Sequence, residues 1–183
     1  MWQQQLIDYK PTNDQEKQDL IVIQKAMKQF DDVLTRNNPI AHFTCSGIVV
    51  NEMRTKVLMV YHHIYDSWSW TGGHVDGETD FLQVAIREVF EETGVQAKPI
   101  EENIFAVDVL TVVGHEKKGH YVSPHLHLNV TYLLEADEHA TLTIAEDENS
   151  AVDWLPIEQL NVYCTEKHML PVYEKIIRKM TML

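Results

Sequence analysis

The most restrictive feature of the chain is a change of period on either side of a double glycine. Ser67-Trp68-Ser69-Trp70-Thr71 alternates as a strand does and runs into Gly72-Gly73. From Asp80 to Thr93 the apolar residues Phe81, Val84, Ala85, Val89 and Phe90 recur at helical spacing, forming a stripe to lay on a core. Thr79 or Asp80 stands where a helix needs a cap, and Gly94 stands where a helix commonly stops. A strand, a tight glycine loop and a helix are the expectation.

The polar side of that helix carries the chemistry. Glu88, Glu91 and Glu92 stand at i, i+3 and i+4, which gathers three carboxylates on one face and makes them repel unless something positive lies among them. A hard divalent cation removes the repulsion. Oxygen ligands in this number suit Mg²⁺ or Mn²⁺, which keep waters and take further ligands from phosphate oxygens. Three such glutamates in isolation read better as a solvated acidic face, so the decision rests on what flanks them.

Gly72-Gly73-His74-Val75-Asp76-Gly77-Glu78, followed by Arg87-Glu88-Val89-Phe90-Glu91-Glu92-Thr93-Gly94-Val95, resembles the Nudix box, G-x5-E-x7-R-E-U-x-E-E-x-G-U, where U is a bulky apolar residue. Counted from Gly73, Arg87, Glu88, Val89, Glu91, Glu92, Gly94 and Val95 are all in register. The first glutamate departs from the pattern: its position holds Thr79, and Glu78 sits one place earlier as the substitute partner of Arg87, with Asp80 as a second candidate. The resemblance implies an α/β/α sandwich around a mixed β-sheet, here with an added N-terminal helix. It implies Glu88, Glu91, Glu92 and the carbonyl of Gly72 as metal ligands, with Arg87 orienting the glutamates. It also implies hydrolysis of a pyrophosphate bond in a nucleotide-linked or other diphosphate small molecule, assisted by Mg²⁺ (or Mn²⁺). Glu91 and Glu92 are candidates for the base, and so are Glu146, Asp147 and Glu148 in a later acidic segment, with Glu148 preferred among those three.

Other readings stay open on the residues. His125 and His127 fall on one face of a strand and suit a second metal, a phosphate contact or a structural role, and His74 lies within the box. Trp68 and Trp70 also share a face, suited to stacking on a base or to core packing. The stretch from His42-Phe43-Thr44 to Gly72-Gly73-His74 loosely resembles isopentenyl-diphosphate isomerase, but no cysteine stands in the glycine loop and the glutamate helix is intact, so hydrolysis is preferred. A non-catalytic nucleotide-sensing module is the third reading, disfavoured because such modules usually lose these glutamates.

The rest of the chain frames this unit. Leu20, Ile23, Met27, Phe30 and Leu34 mark an amphipathic helix over 14–36, after Asn13 and Asp14 as possible caps. Runs 42–50, 56–61, 104–113 and 121–134 are β-rich, with 51–55 and 114–120 as hairpin connections, 151–155 as a short strand, and helices near 156–160 and 166–180. One domain spanning 1–183 is expected, with residues 1–40 as a helical extension and 72–95 as the box. With 28 acidic against 15 basic residues and a net charge of −13, the chain does not suit a nucleic-acid partner but does suit a cation-bridged small phosphorylated substrate. Two cysteines without metal-ligand spacing, no signal-peptide pattern and no apolar run near the ~18 residues that span a bilayer point to a cytoplasmic protein away from membranes. A homodimer through the N-terminal helix or a sheet edge is a further expectation.

Overall fold

The computed structural model describes residues 1–63, 66–117, 119–147 and 149–183. Its elements run in order α1 (Trp2–Asp8), α2 (Asp14–Gln29), β1 (Ala41–Val50), β2 (Lys56–His62), β3 (Ser67–Ser69), β4 (Thr71–His74), α3 (Phe81–Thr93) and β5 (Lys98–Pro99). Then come β6 (Ala106–Val112), β7 (His115–Lys117), β8 (His120–Val122), β9 (His125–Glu135), β10 (Asn149–Pro156), a 3₁₀ turn (Ile157–Gln159), α4 (Leu160–Tyr163) and α5 (Leu170–Met180). Among the described residues no helix is long and apolar enough to cross a membrane.

The sheet is mixed, as expected. Its spine runs β10-β2-β1-β9-β5, with β3 attached to β2, β4 to β1 and β6 to β9. Only β1 and β9 pair in parallel along this spine, from Ala41↔Leu126 to Val50↔Glu135, and both strands are buried for most of their length. Alternation then sends side chains to two cores. Phe43, Cys45, Val49, Leu128, Val130 and Leu134 meet Leu6, Ile23, Phe81, Val84 and Val89 on one side of the sheet. Ile48, Val50, Met59, Leu133 and Leu155 meet Tyr173, Ile176 and Met180 of α5 on the other. Helices therefore cover both faces, the layering that the α/β/α reading requires.

The departures from the sequence reading have local causes. Helix α2 ends at Gln29 rather than Asn37, because Phe30 is extended and the next backbone groups are used elsewhere. The Val33 carbonyl accepts from the Phe43 amide at 2.8 Å, and the Leu34 carbonyl accepts from Gly77 at 2.7 Å. Leu34 still packs on the core, which is why the apolar recurrence outlasted the helix. Helix α1 escaped notice because seven residues offer only Trp2 and Leu6 as a stripe; Trp2 packs on Phe43 and Phe81 at ring distances of 5.2 and 5.3 Å. The double glycine lies within strand β4, and the turn comes later, at Asp76 and Gly77 with φ of 47° and 94°. The connection after β6 carries its own ribbon of β7 and β8. Helix α5 starts at Leu170 instead of Glu166, with Pro171 in the first turn where its missing N–H costs nothing.

A buried charge cluster joins the terminal helices to the sheet. Glu16 of α2 is fully buried; Asn13 caps its helix by accepting from the Glu16 amide at 2.8 Å, and the Glu16 carboxylate accepts from the Thr12 amide at 2.8 Å. Lys179 donates to Glu16 at 3.0 Å and to the Tyr9 hydroxyl at 2.8 Å, while Lys175 donates to Asp108 of β6 at 2.5 Å and lies 3.6 Å from Glu16. Burial alone would push the Glu16 carboxyl up, yet the Thr12 amide and Lys179 hold it below its ordinary value. Removing one partner leaves the rest uncompensated in a dry site. The Glu16→Gln variant is expected to lose about 3 kcal/mol of unfolding free energy, the lower end for a broken buried pair because Asp108 still balances Lys175. Urea denaturation measures it, and a loss below about 0.5 kcal/mol, the scale of an ordinary surface substitution, contradicts the role given to this cluster.

Candidate active site

Strand β4 lies close against β1 on one side and against Glu88 of α3 on the other. A Cβ on Gly72 would lie 2.6 Å from the Cys45 carbonyl oxygen and 2.9 Å from Ser46 Cα, both backbone atoms that cannot step aside. A Cβ on Gly73 would lie 2.2 Å from a Glu88 carboxylate oxygen. Gly72 is thus required by close approach to backbone, whereas at Gly73 the neighbour is the end of the Glu88 side chain, which lies directly against the β4 backbone. Helix α3 is set by Asp80, which accepts from the Gln83 amide at 3.2 Å as N-cap, and by Gly94 at φ 73° as C-terminal stop. Of the two proposed caps Asp80 is used, and among the described residues the ion pairs of Arg87 are with Glu78, Glu88 and Glu91 instead.

The three glutamates differ in surroundings. Glu92 is buried; one of its oxygens accepts from the Gly72 amide at 2.7 Å and the other from Asn149 Nδ2 of β10 at 3.0 Å. Glu88 is half-buried and its carboxylate lies 3.2 Å from Arg87 Nη2. Glu91 is exposed, with Arg87 Nε at 3.6 Å. Arg87 also forms the ion pair with Glu78 that the shifted glutamate called for, and that hydrogen bond above all holds its guanidinium above its ordinary pKa. The structure thus brings Gly72, Arg87, Glu88, Glu91 and Glu92 together at one junction. Glu148 lies outside the described residues. Glu146 offers its backbone carbonyl to His63 Nε2 at 3.3 Å, which ties that acidic segment to the end of β2.

The opposite face of β1, β4 and β9 is polar, a pattern the sequence reading only touched through His74, His125 and His127. Register places His42 opposite His127, Thr44 opposite Asn129 and Ser46 opposite Thr131, with His74 opposite Thr44. Thr44 and Ser46 each donate to Asn129 Oδ1 at 2.9 Å, and Asn129 donates to Thr131 at 3.1 Å. His42 was the histidine missed: it looked like the first residue of an apolar strand, and only the strand register shows that it joins the other three. Its ring centre lies 5.1, 4.8 and 5.2 Å from those of His74, His125 and His127. Burial, with His74, His42 and His125 close by, pushes the His127 imidazole down to about 2.

The tryptophans take the packing role. Trp70 meets Tyr173 of α5 edge-on at 5.4 Å, its amide donating to the Tyr173 hydroxyl at 3.3 Å, and Trp68 packs against the same core as α5. Cys45 pairs with Gly73 in register, but its thiol is fully buried and burial pushes its pKa well up. Cys164 is buried too, so the described residues offer no accessible thiol beside the glycines for isomerase-type proton transfer.

A strand carrying two close-approach glycines, pinned to a helix whose exposed face presents carboxylates and an arginine, on a mixed sheet between helices, defines a recognisable class. The chain belongs to the NUDIX domain family, whose model matches residues 42–179. It is similar to a probable DHNTP pyrophosphohydrolase of Lactococcus lactis subsp. cremoris (strain MG1363), at 31% identity over 101 residues, 55% of this chain and 58% of that protein. The chain thus matches somewhat over half the length of this relative. Among solved structures, a NUDIX-family hydrolase from Clostridium perfringens superposes with a TM-score of 0.55 at 19% identity, covering 76% of this chain and 97% of that one. A C. elegans Ap4A hydrolase binary complex gives 0.54 at 19%, covering 76% and 95%. At such identities these structures speak for the fold.

The histidine cluster has a pH consequence. An unfolded histidine takes up a proton near 6.5, whereas the native His127 ring stays neutral down to about 2. Above pH 6.5 both states are neutral and the residue contributes nothing to the pH dependence. Below it the unfolded state binds the extra proton, so stability falls with pH by up to about 1.4 kcal/mol per unit. Chelator-treated protein is expected to lose stability from pH 6.5 to 5 more steeply than the His127→Gln variant, by about one proton's slope in urea denaturation. Equal slopes would refute the assignment.

Proposed function

We propose that the chain is a pyrophosphohydrolase that cleaves a phosphoanhydride in a small, nucleotide-linked or other diphosphate substrate, dependent on Mg²⁺ or Mn²⁺. The single observation that carries this reading is the junction of β4 and α3, where hard oxygen donors collect and Arg87 provides the local positive charge. The donor set fits a hard divalent cation. Glu88 and Glu91 and the Gly72 carbonyl are the proposed ligands, joined by Glu92, whose carboxylate reaches the same junction. When bound, the ion neutralises charge on the phosphate oxygens and makes a coordinated water more acidic.

The chain's own residues then have distinct duties. Arg87, anchored by Glu78, holds Glu88 and keeps Glu91 from swinging away. Glu92 holds the β4 backbone against α3 and thereby fixes where the Gly72 carbonyl and Glu88 stand relative to one another. Glu91, the most exposed of the three, is the best placed among the described residues to receive a proton from the attacking water; Glu148 keeps its place as the alternative base. DHNTP, named for the Lactococcus relative, and Ap4A, named for the C. elegans structure, are the first substrates to test, followed by nucleoside triphosphates, ADP-ribose and nucleotide sugars.

Release of phosphate, pyrophosphate or nucleoside monophosphate from this panel with Mg²⁺ tests the reading. Glu88→Gln and Glu91→Gln are expected to lower kcat by about 100-fold or more with a smaller change in KM, as for loss of a group that acts mainly in the transition state. Wild-type turnover that neither substitution reduces would show the metal assignment wrong. Tight binding without turnover of any substrate would favour a nucleotide-sensing module instead.

A further inference from the structure

Four histidines from three strands converge behind the glycine strand, on the side of the sheet away from Glu88. One ring nitrogen from each of His42, His125 and His127 lies within 4.8 Å of the other two. His74 Nε2 stands 3.2 Å from His127 Nε2, and His125 Nε2 stands 3.3 Å from the same atom. A tetrahedral ion with metal–nitrogen bonds of about 2.0–2.1 Å separates its ligand nitrogens by about 3.3–3.4 Å. The separations of His127 Nε2 from His74 and from His125 are close to that value, while the nitrogens of His42, His125 and His127 lie within 4.8 Å of one another.

The outer contacts fix the tautomers in the sense a metal needs. His42 Nδ1 lies 3.0 Å from the Asn38 carbonyl oxygen and His125 Nδ1 lies 2.8 Å from the Ser123 carbonyl oxygen. A carbonyl only accepts, so in each neutral ring Nδ1 carries the proton and Nε2 turns its lone pair inward. His42 is 4% exposed, and its Nε2 has no hydrogen-bond partner among the described residues. His127 Nε2 faces both His74 and His125 and has at most one proton to share. Lone pairs of His42 and His125 that converge on His127 are costly where the site is buried, as it is at His42, and one cation satisfies them together.

We propose that His42, His125 and His127, completed by His74, form a second metal centre, separate from the glutamates of α3, which takes one borderline divalent transition ion of the Zn²⁺ type. Imidazole donors suit such an ion, whereas Mg²⁺ favours oxygen, so the two faces of β4 select different metals. The centre needs no covalent change in the protein, and it sets a fixed positive charge one residue from Gly73, on the face of β4 away from Glu88. It goes beyond the hydrolase reading and does not depend on it.

Cobalt is the probe. The full chain, stripped with a chelator and titrated with Co²⁺, is expected to bind one ion per chain with the intense visible absorption of tetrahedral nitrogen coordination. Stoichiometric Zn²⁺ then bleaches the band, and millimolar Mg²⁺ leaves it in place. His42→Gln, His125→Gln and His127→Gln each weaken Co²⁺ binding by about 100-fold or more, given that loss of even an outer-shell partner costs about 10–100-fold. Glu88→Gln and Glu91→Gln retain the band. Circular dichroism verifies that each variant is folded; His125, half-exposed, decides the matter if the more buried His42 variant does not fold. Absence of the tetrahedral band in the wild type, or a band unchanged in folded His125→Gln, overturns the proposal. Loss of the band in the histidine variants with hydrolysis lost only in the glutamate variants separates this centre from the hydrolytic site.

Discussion

One carboxylate holds the site region together. Glu92 of α3 accepts from the backbone of β4 at Gly72 and from Asn149 at the start of β10, and so joins a helix and two strands through two hydrogen bonds. Such bonds to a buried carboxylate are stronger than neutral ones and leave little freedom in the groups they join. Gly72 lets β4 lie against the β1 backbone, and Gly73 leaves room for the Glu88 carboxylate of α3. The glycines create the proximity, and Glu92 makes it rigid.

From that junction the chain presents two chemistries on two sides of one strand. On the α3 side stand carboxylates with an arginine among them, a set suited to hard cations and phosphate oxygens. On the other side stand imidazoles above a buried row of Thr44, Ser46, Asn129 and Thr131 whose hydroxyls and amide satisfy one another. The parallel pairing of β1 with β9 makes this row continuous, since it brings polar residues of both strands into lateral register along their first halves. Their second halves become apolar on the same face, and α5 covers them there. The terminal helices are tied to one another and to β6 by Glu16, Lys175, Lys179 and Asp108.

How much of this the sequence discloses depends on the range of each interaction. The helix over 81–93, its cap and its stop follow from local spacing, and so does the grouping of Glu88, Glu91 and Glu92. The mixed sheet and its layering were legible through the resemblance carried by residues 73–95, and the pairing of Arg87 with Glu78 through a one-place shift in that pattern. What stayed hidden is long-range. Nothing local says that Val33 and Leu34 trade helical hydrogen bonds for bonds to Phe43 and Gly77, so the helix reading ran past Gln29. Nothing local separates Glu92, held in two buried bonds, from Glu91 in solvent. His42 meets His127 only through parallel register, 85 positions along the chain, and no periodicity reports such a pairing.

The central claim is that the oxygen donors at the junction of β4 and α3 gather around a hard cation. Anomalous scattering from crystals grown with Mn²⁺ tests this most directly. The account predicts a peak within bonding distance, about 2.0–2.3 Å, of carboxylate oxygens from Glu88 and Glu91, on the side facing β4. Fully occupied Mn²⁺ elsewhere on the molecule, with both carboxylates bound only to Arg87 and water, would contradict it.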